Sequence, residues 1–166
     1  DDHGHGTHCA GIAAATIDNT LGIAGISQSR IMAEKVLDSN GSGTSSITAA
    51  AICHAADNGA DVISMSLGAD GPSQIVEEAC RYAWEKGCVL VAASGNDGAT
   101  RVIYPAAYDT VIAVGSVGKT GSRSTFSNYG TNLDLVAPGE SILSTTPGNT
   151  YGQKSGTSMA CPHVSG

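Results

Sequence analysis

Basic side chains are scarce in this chain: 8 Lys+Arg stand against 15 Asp+Glu, a formal net charge of -7. Nucleic-acid affinity rests largely on clustered cations that displace counterions from phosphate, so this balance argues against nucleic acid as a partner. Long apolar runs are missing too. None approaches the roughly 18 residues of a membrane-spanning helix, and the opening Asp1-Asp2-His3 is no signal peptide. The covered residues therefore read as having no membrane partner. Aromatic residues make up only 4%, so the interior must be filled by small side chains packed closely. Paired CxxC spacing is absent. Cys9, Cys53, Cys80, Cys88 and Cys161 are odd in number and lie in apolar or glycine-rich stretches, which reads as buried thiols, with a Cys80 to Cys88 bridge as the alternative.

What is there begins with length and glycine. At 166 residues the chain can bury one sizeable core but not two, and its 22 glycines suit tight turns and close backbone approach. Segments of helical and strand period alternate, the pattern of helices laid on a mostly parallel sheet, so the fold class is α/β. Helices are predicted from His5 to Ala15, from Ser45 to Asp57 before Asn58-Gly59, and from Pro72-Ser73 to Lys86 before Gly87. A last helix starts at Gly156 and runs to the end of the chain. Strands are predicted at Ile31–Leu37, Asp61–Leu67, Cys88–Ala93, Thr110–Val117 and Leu133–Ala137. The strand from Cys88 runs straight into the turn Ser94-Gly95-Asn96-Asp97-Gly98. Ligands of open parallel sheets bind at that carboxyl edge.

Three segments carry chemistry: His5-Gly6-Thr7-His8 at a helix start, Gly95-Asn96 after a strand, and Gly156-Thr157-Ser158-Met159-Ala160 entering the last helix. A serine hydroxyl is a weak nucleophile that needs a neighbouring base, and imidazole fills that role near neutral pH. Ser158 and His5 are the candidate pair. A serine at a helix start also has backbone N–H groups and the positive dipole end aimed at developing negative charge, and Asn96 is the candidate to complete an oxyanion site. Each signal alone has an ordinary reading: a serine there is commonly an N-cap, and an Asn in such a turn tolerates left-handed backbone. Their joint occurrence in one chain is what carries the acyl-transfer reading.

HGTHCAG, SMSLG, AASGNDG, VAPG and GTSMACPHVSG, in that order, resemble successive motifs of the subtilisin family of serine endopeptidases, and the resemblance covers nearly the whole chain. It implies a three-layer αβα fold with a mostly parallel central sheet. It implies hydrolysis of proteins or peptides through an acyl-enzyme, with His5 as base, Ser158 as nucleophile and Asn96 as oxyanion donor. Ser66-Leu67-Gly68 and Ala93-Ser94-Gly95 resemble the two walls of the primary specificity pocket. Gly41-Ser42-Gly43 resembles the edge that pairs with an extended substrate backbone, which predicts broad specificity. Ile103 falls near the pocket floor, or else in the core. The resemblance also implies a secreted monomer, no cofactor for catalysis, and a calcium loop at Ile17–Ile23.

Two departures stand out. Chain order in the family is Asp, His, Ser, yet only Asp1 and Asp2 precede His5, and neither fits the aspartate's place at the end of an earlier strand. Residues 1–166 are thus expected to be part of a catalytic domain whose aspartate-bearing segment and C-terminal end lie outside them, and by themselves a feeble peptidase. Calcium wants six or more oxygens, and the loop supplies only some, so a metal ligand set stays unassigned. Two other classes remain in view: a metal-dependent hydrolase using Asp1, Asp2, His3, His5 and His8, and a non-catalytic peptide-binding module.

Overall fold

The computed structural model describes all 166 residues. Val62–Met65 (β1), Val89–Ala93 (β2), Val111–Val117 (β3) and Leu135–Pro138 (β4) form a parallel sheet in the order β1-β2-β3-β4. Side chains alternate across this sheet as strand period demands. Ile63, Met65, Leu90, Ala92 and Ala113 face one way and pack with Ser45–Asp57 (α1) and Gln74–Glu85 (α2). Val91, Ala93 and Val114 face the other way, against Ala160 and Cys161 of Thr157–Ser165 (α3). These are the three layers, and the small residues Ala92, Ala113, Ala160 and Cys161 are almost wholly buried at the contacts. The N-terminal helix, His5–Ala14 (αN), packs against α3. Asp1 caps it: its carboxylate accepts N–H bonds from Gly4 at 2.9 Å and Thr7 at 2.7 Å, groups that no helical carbonyl can satisfy.

Most predicted elements stand within a residue or two of their expected bounds. One does not, and one hairpin was not predicted. Ile31–Leu37 is no strand. It is extended and mostly exposed, and it forms no ladder, while β1 has only β2 beside it. A β-rich composition favours extended backbone, but only a neighbour makes it a strand. Two side chains from its middle hold the segment instead, Lys35 on Asp2 at 2.7 Å and Glu34 on His54 at 2.7 Å. The second difference is a hairpin absent from the sequence reading, Ile142–Thr146 (β5) paired antiparallel with Thr150–Lys154 (β6) around Pro147-Gly148-Asn149. Gly148 and Asn149 both take left-handed backbone there, the conformation such tight turns require. The hairpin buttresses αN, with Ser144 Oγ donating to His8 O at 2.7 Å and Thr145 Oγ1 to Thr7 O at 2.8 Å. All five cysteines are free thiols, so Cys80 and Cys88 form no bridge.

Candidate active site

The carboxyl ends of β1 and β2 and the first turn of α3 meet in a cleft of about 400 Å³ lined by Leu67, Gly68, Ala93, Gly95, Asn96, Ile103 and Ser158, among others. Parallel strands all end on the same edge, which is why segments some 30 and 60 residues apart converge there. Ser158 is the second residue of α3. Its backbone N–H forms no hydrogen bond, and its hydroxyl donates only weakly, to Ser66 O at 3.4 Å. Asn96 is oriented by that helix: its Oδ1 accepts from Thr157 N at 2.8 Å and from Thr157 Oγ1 at 2.9 Å. The amide NH₂ is left unspent. A Cβ at Gly156 would lie 3.6 Å from Asn96 Oδ1, 3.7 Å from Ser158 N and 3.8 Å from Asn96 Nδ2, so the Asn96 amide and the Ser158 N–H border the same space.

Proline fixes the carbonyl side of the same residue. Pro162 has no N–H, so Ser158 O, four residues back, loses its helical donor. Two side chains replace it: Ser66 Oγ donates at 2.8 Å and Cys9 Sγ at 3.4 Å. Cys9 sits one turn after His5 in αN, with its sulfur 4.0 Å from His5 Nδ1. These contacts bring His5, Ser66 and Ser158 into one neighbourhood. Burial holds the Cys9 thiol up at about 11, and the Ser66 hydrogen bond only partly offsets it.

His5 makes no hydrogen bond to a carboxylate; Cys9 Sγ is the partner nearest its Nδ1. Burial pushes its pKa below the ordinary 6.5, and the neighbouring His3, Lys154 and His8 push it the same way. The ring is thus neutral at pH 7, the form a base requires, but nothing among these residues stabilises the imidazolium it would become. Asp1 is spent on αN and Asp2 on Lys35. His8 is fully buried with its Nε2 on Gly152 O at 3.0 Å. The residues of the alternative metal set therefore point to different partners.

The other expected positions divide. Leu67, Gly68, Ala93 and Gly95 line the cleft. Ser66 and Ser94 do not: the Ser66 hydroxyl turns to Ser158 O, and Ser94 is fully buried with its hydroxyl on Asn128 O at 3.2 Å. Ile103 is half-buried and spans the two walls. Methyl groups built on Gly68 and Gly95 would meet its Cγ1 at 2.9 Å and its Cγ2 at 3.0 Å. Of its two readings the cleft position holds. Gly41-Ser42-Gly43 follows a turn closed by Asp38, whose carboxylate accepts Ser42 N at 3.0 Å, and Gly43 makes no backbone hydrogen bond. Loop 17–23 offers one carboxylate, Asp18, and the Asn19 oxygen is taken by Leu21 N at 3.0 Å.

Sequence reasoning missed Asp70 and Asp97 at the cleft, and Thr157 as the holder of Asn96. Thr157 was findable, being the neighbour of Ser158 in GTSMA. Asp70 is exposed and paired with Arg101 at 2.9 Å.

The chain matches the subtilase family over residues 1–166. It is 54% identical over its whole length to the thermophilic serine proteinase of Bacillus sp. (strain AK1), of which it spans 42%. It is 52% identical over 99% of its length to thermitase of Thermoactinomyces vulgaris, of which it spans 59%. Among solved structures, sphericase superposes with a TM-score of 0.92 at 38% identity, over 99% of this chain and 62% of that one. The chain thus spans about two fifths to three fifths of the length of these relatives.

Proposed function

Because the chain belongs to the subtilase family, we propose that it carries the nucleophile, base and oxyanion donors of a serine endopeptidase acting on extended polypeptides. Ser158 Oγ attacks the peptide carbonyl carbon while His5 takes its proton. Rotation about χ1 moves the hydroxyl off Ser66 O towards the imidazole. The carbonyl oxygen becomes an anion and receives N–H bonds from Asn96 Nδ2 and Ser158 N. His5 then passes its proton to the departing amine. Water repeats the sequence on the acyl-enzyme. No cofactor enters these steps, and on the family's pattern the protein acts as a secreted monomer. No helix is long and apolar enough to cross a membrane.

The observation that supports this most is the pair of unspent donors, Asn96 Nδ2 and Ser158 N, converging beside Gly156. An oxyanion site requires such donors pre-aimed beside a nucleophile, and a peptide-binding module would need neither Ser158 nor His5 next to them. A fluorophosphonate should label Ser158 in the full-length protein, and labelling should vanish in His5→Ala. Label on another serine would refute the assignment.

A further inference from the structure

The backbone of Asn96 is free, since neither its N–H nor its C=O makes a backbone hydrogen bond, and only its side chain is held, by Thr157. The residues on either side are held by one residue, Asn128, two of them through its side chain and two through its main chain. Asn128 is fully buried, 32 positions further along the chain. Its Oδ1 accepts from Asp97 N at 2.9 Å and from Ala99 N at 3.0 Å. Its own N–H donates to Gly95 O at 2.9 Å, and its C=O receives the Ser94 hydroxyl at 3.2 Å. Four residues bracketing Asn96 thus converge on one. The other arm of the amide, Nδ2, is buried without a partner and lies so close to Gly95 that a Cβ there would collide with it. An unpaired buried donor is a cost with no local return. The amide oxygen must supply that return, and what it does is fix the curve of the loop.

Resting on the endopeptidase reading above, we propose that Asn128 is a positioning residue for the oxyanion site. It sets the path of Ser94–Ala99 so that Asn96 Nδ2 arrives beside Ser158 N. Thr157 orients the amide about its own bonds, while Asn128 places the backbone that carries it. Charge on a transition-state oxygen is stabilised only by donors already in place, and a displacement of about 1 Å costs on the order of 10²-fold. Substrate affinity depends far less on this geometry.

The test is a double-mutant cycle in the full-length protein, with active sites titrated so that unfolded material is not counted. Asn128→Leu should lower kcat by about 10- to 100-fold with KM changed less than about threefold. In an Asn96→Ala background the same substitution should cost less than about threefold, because the donor it positions is gone. Asn128→Asp, which keeps the accepting oxygen, should recover more kcat than Asn128→Ser. Equal losses of kcat in both backgrounds, or an effect confined to KM, would overturn the proposal. If Asn128→Leu does not fold, the cycle is run with Asn128→Ser and the same criteria. Failure of Asn96→Ala itself to lower kcat would remove the oxyanion reading, and this proposal with it. A normal Asn96→Ala effect with no Asn128 effect would remove this proposal alone.

Discussion

The two sides of the cleft are built to different degrees. On the Ser158 side, residues from β1, the β2 turn, αN and α3 cross-link one another: Ser66 and Cys9 hold the Ser158 carbonyl, Thr157 holds Asn96, and Asn128 holds the loop. On the His5 side, the imidazole lies beside the Cys9 thiol and makes no hydrogen bond to a carboxylate. Nucleophile and oxyanion donors are assembled by local turns and by the common edge of a parallel sheet. The proposed base, His5, has no carboxylate partner among these residues. The proposed constellation thus has one densely cross-linked half, around Ser158, and one sparsely held half, around His5.

The largest expected effect comes from completing the second half. Extending the chain with the aspartate-bearing segment of a relative should raise turnover of a peptide anilide by about 10⁴, the scale set by loss of the aspartate in subtilisin. The sign of the accompanying titration is fixed. Without a carboxylate, His5 titrates below 6.5; an adjacent negative charge favours imidazolium, so its titration by NMR should move upward. An unextended chain within tenfold of the extended one would erase the contrast between the halves.

Next comes the cross-linked side. Asn96→Leu should lower kcat by about 10² to 10³ with KM little changed, as removal of the corresponding donor does in subtilisin. A loss expressed only in KM would make Asn96 a turn residue.

A smaller effect belongs to the cleft floor. Ile103 fills the space between Gly68 and Gly95, which favours a small side chain on the substrate residue whose carbonyl is attacked. Ile103→Gly should raise kcat/KM for phenylalanine relative to alanine there by about tenfold or more, the scale of lost methylenes in an apolar pocket. An unchanged ratio would place the side chain outside the substrate's reach.

The smallest is chemical. With the Cys9 thiol held at about 11, only about one part in a thousand is thiolate at pH 8, so iodoacetamide should modify it slowly, with a rate climbing tenfold per pH unit. Rapid alkylation at pH 8 would mean that the contact between the two halves is looser than its hydrogen bonds imply.

The contrast also explains what could be read from sequence. β2 was legible because its apolar run ends in Ser94-Gly95, and α1 because Asn58-Gly59 stops it; both signals are local. His5, Ser158 and Asn96 could be proposed from sequence because each sits in a short motif, and the structure brings them into one neighbourhood. β5 and β6 escaped because their threonines, serines and glycines carry no apolar alternation; the hairpin is fixed by hydroxyls reaching αN. Ile31–Leu37 misled because strand propensity says nothing about whether a partner stands alongside. Asn128 gave no sign at all. Its role lies in contacts across some 30 residues, and an Asn in Ser-Asn-Tyr-Gly reads as one more turn residue.

Pro162 gives the nucleophile an unusual dependence. In an ordinary helix each carbonyl is satisfied as soon as the turn forms, whatever the rest of the chain is doing. Here the carbonyl of Ser158 waits for Ser66 and Cys9, which lie 92 and 149 residues away in sequence. The first turn of α3 can therefore settle only after the sheet edge and αN have docked against it. A half-folded chain would hold Ser158 on an unsettled turn, so the geometry of this one residue reports on the docking of two distant segments.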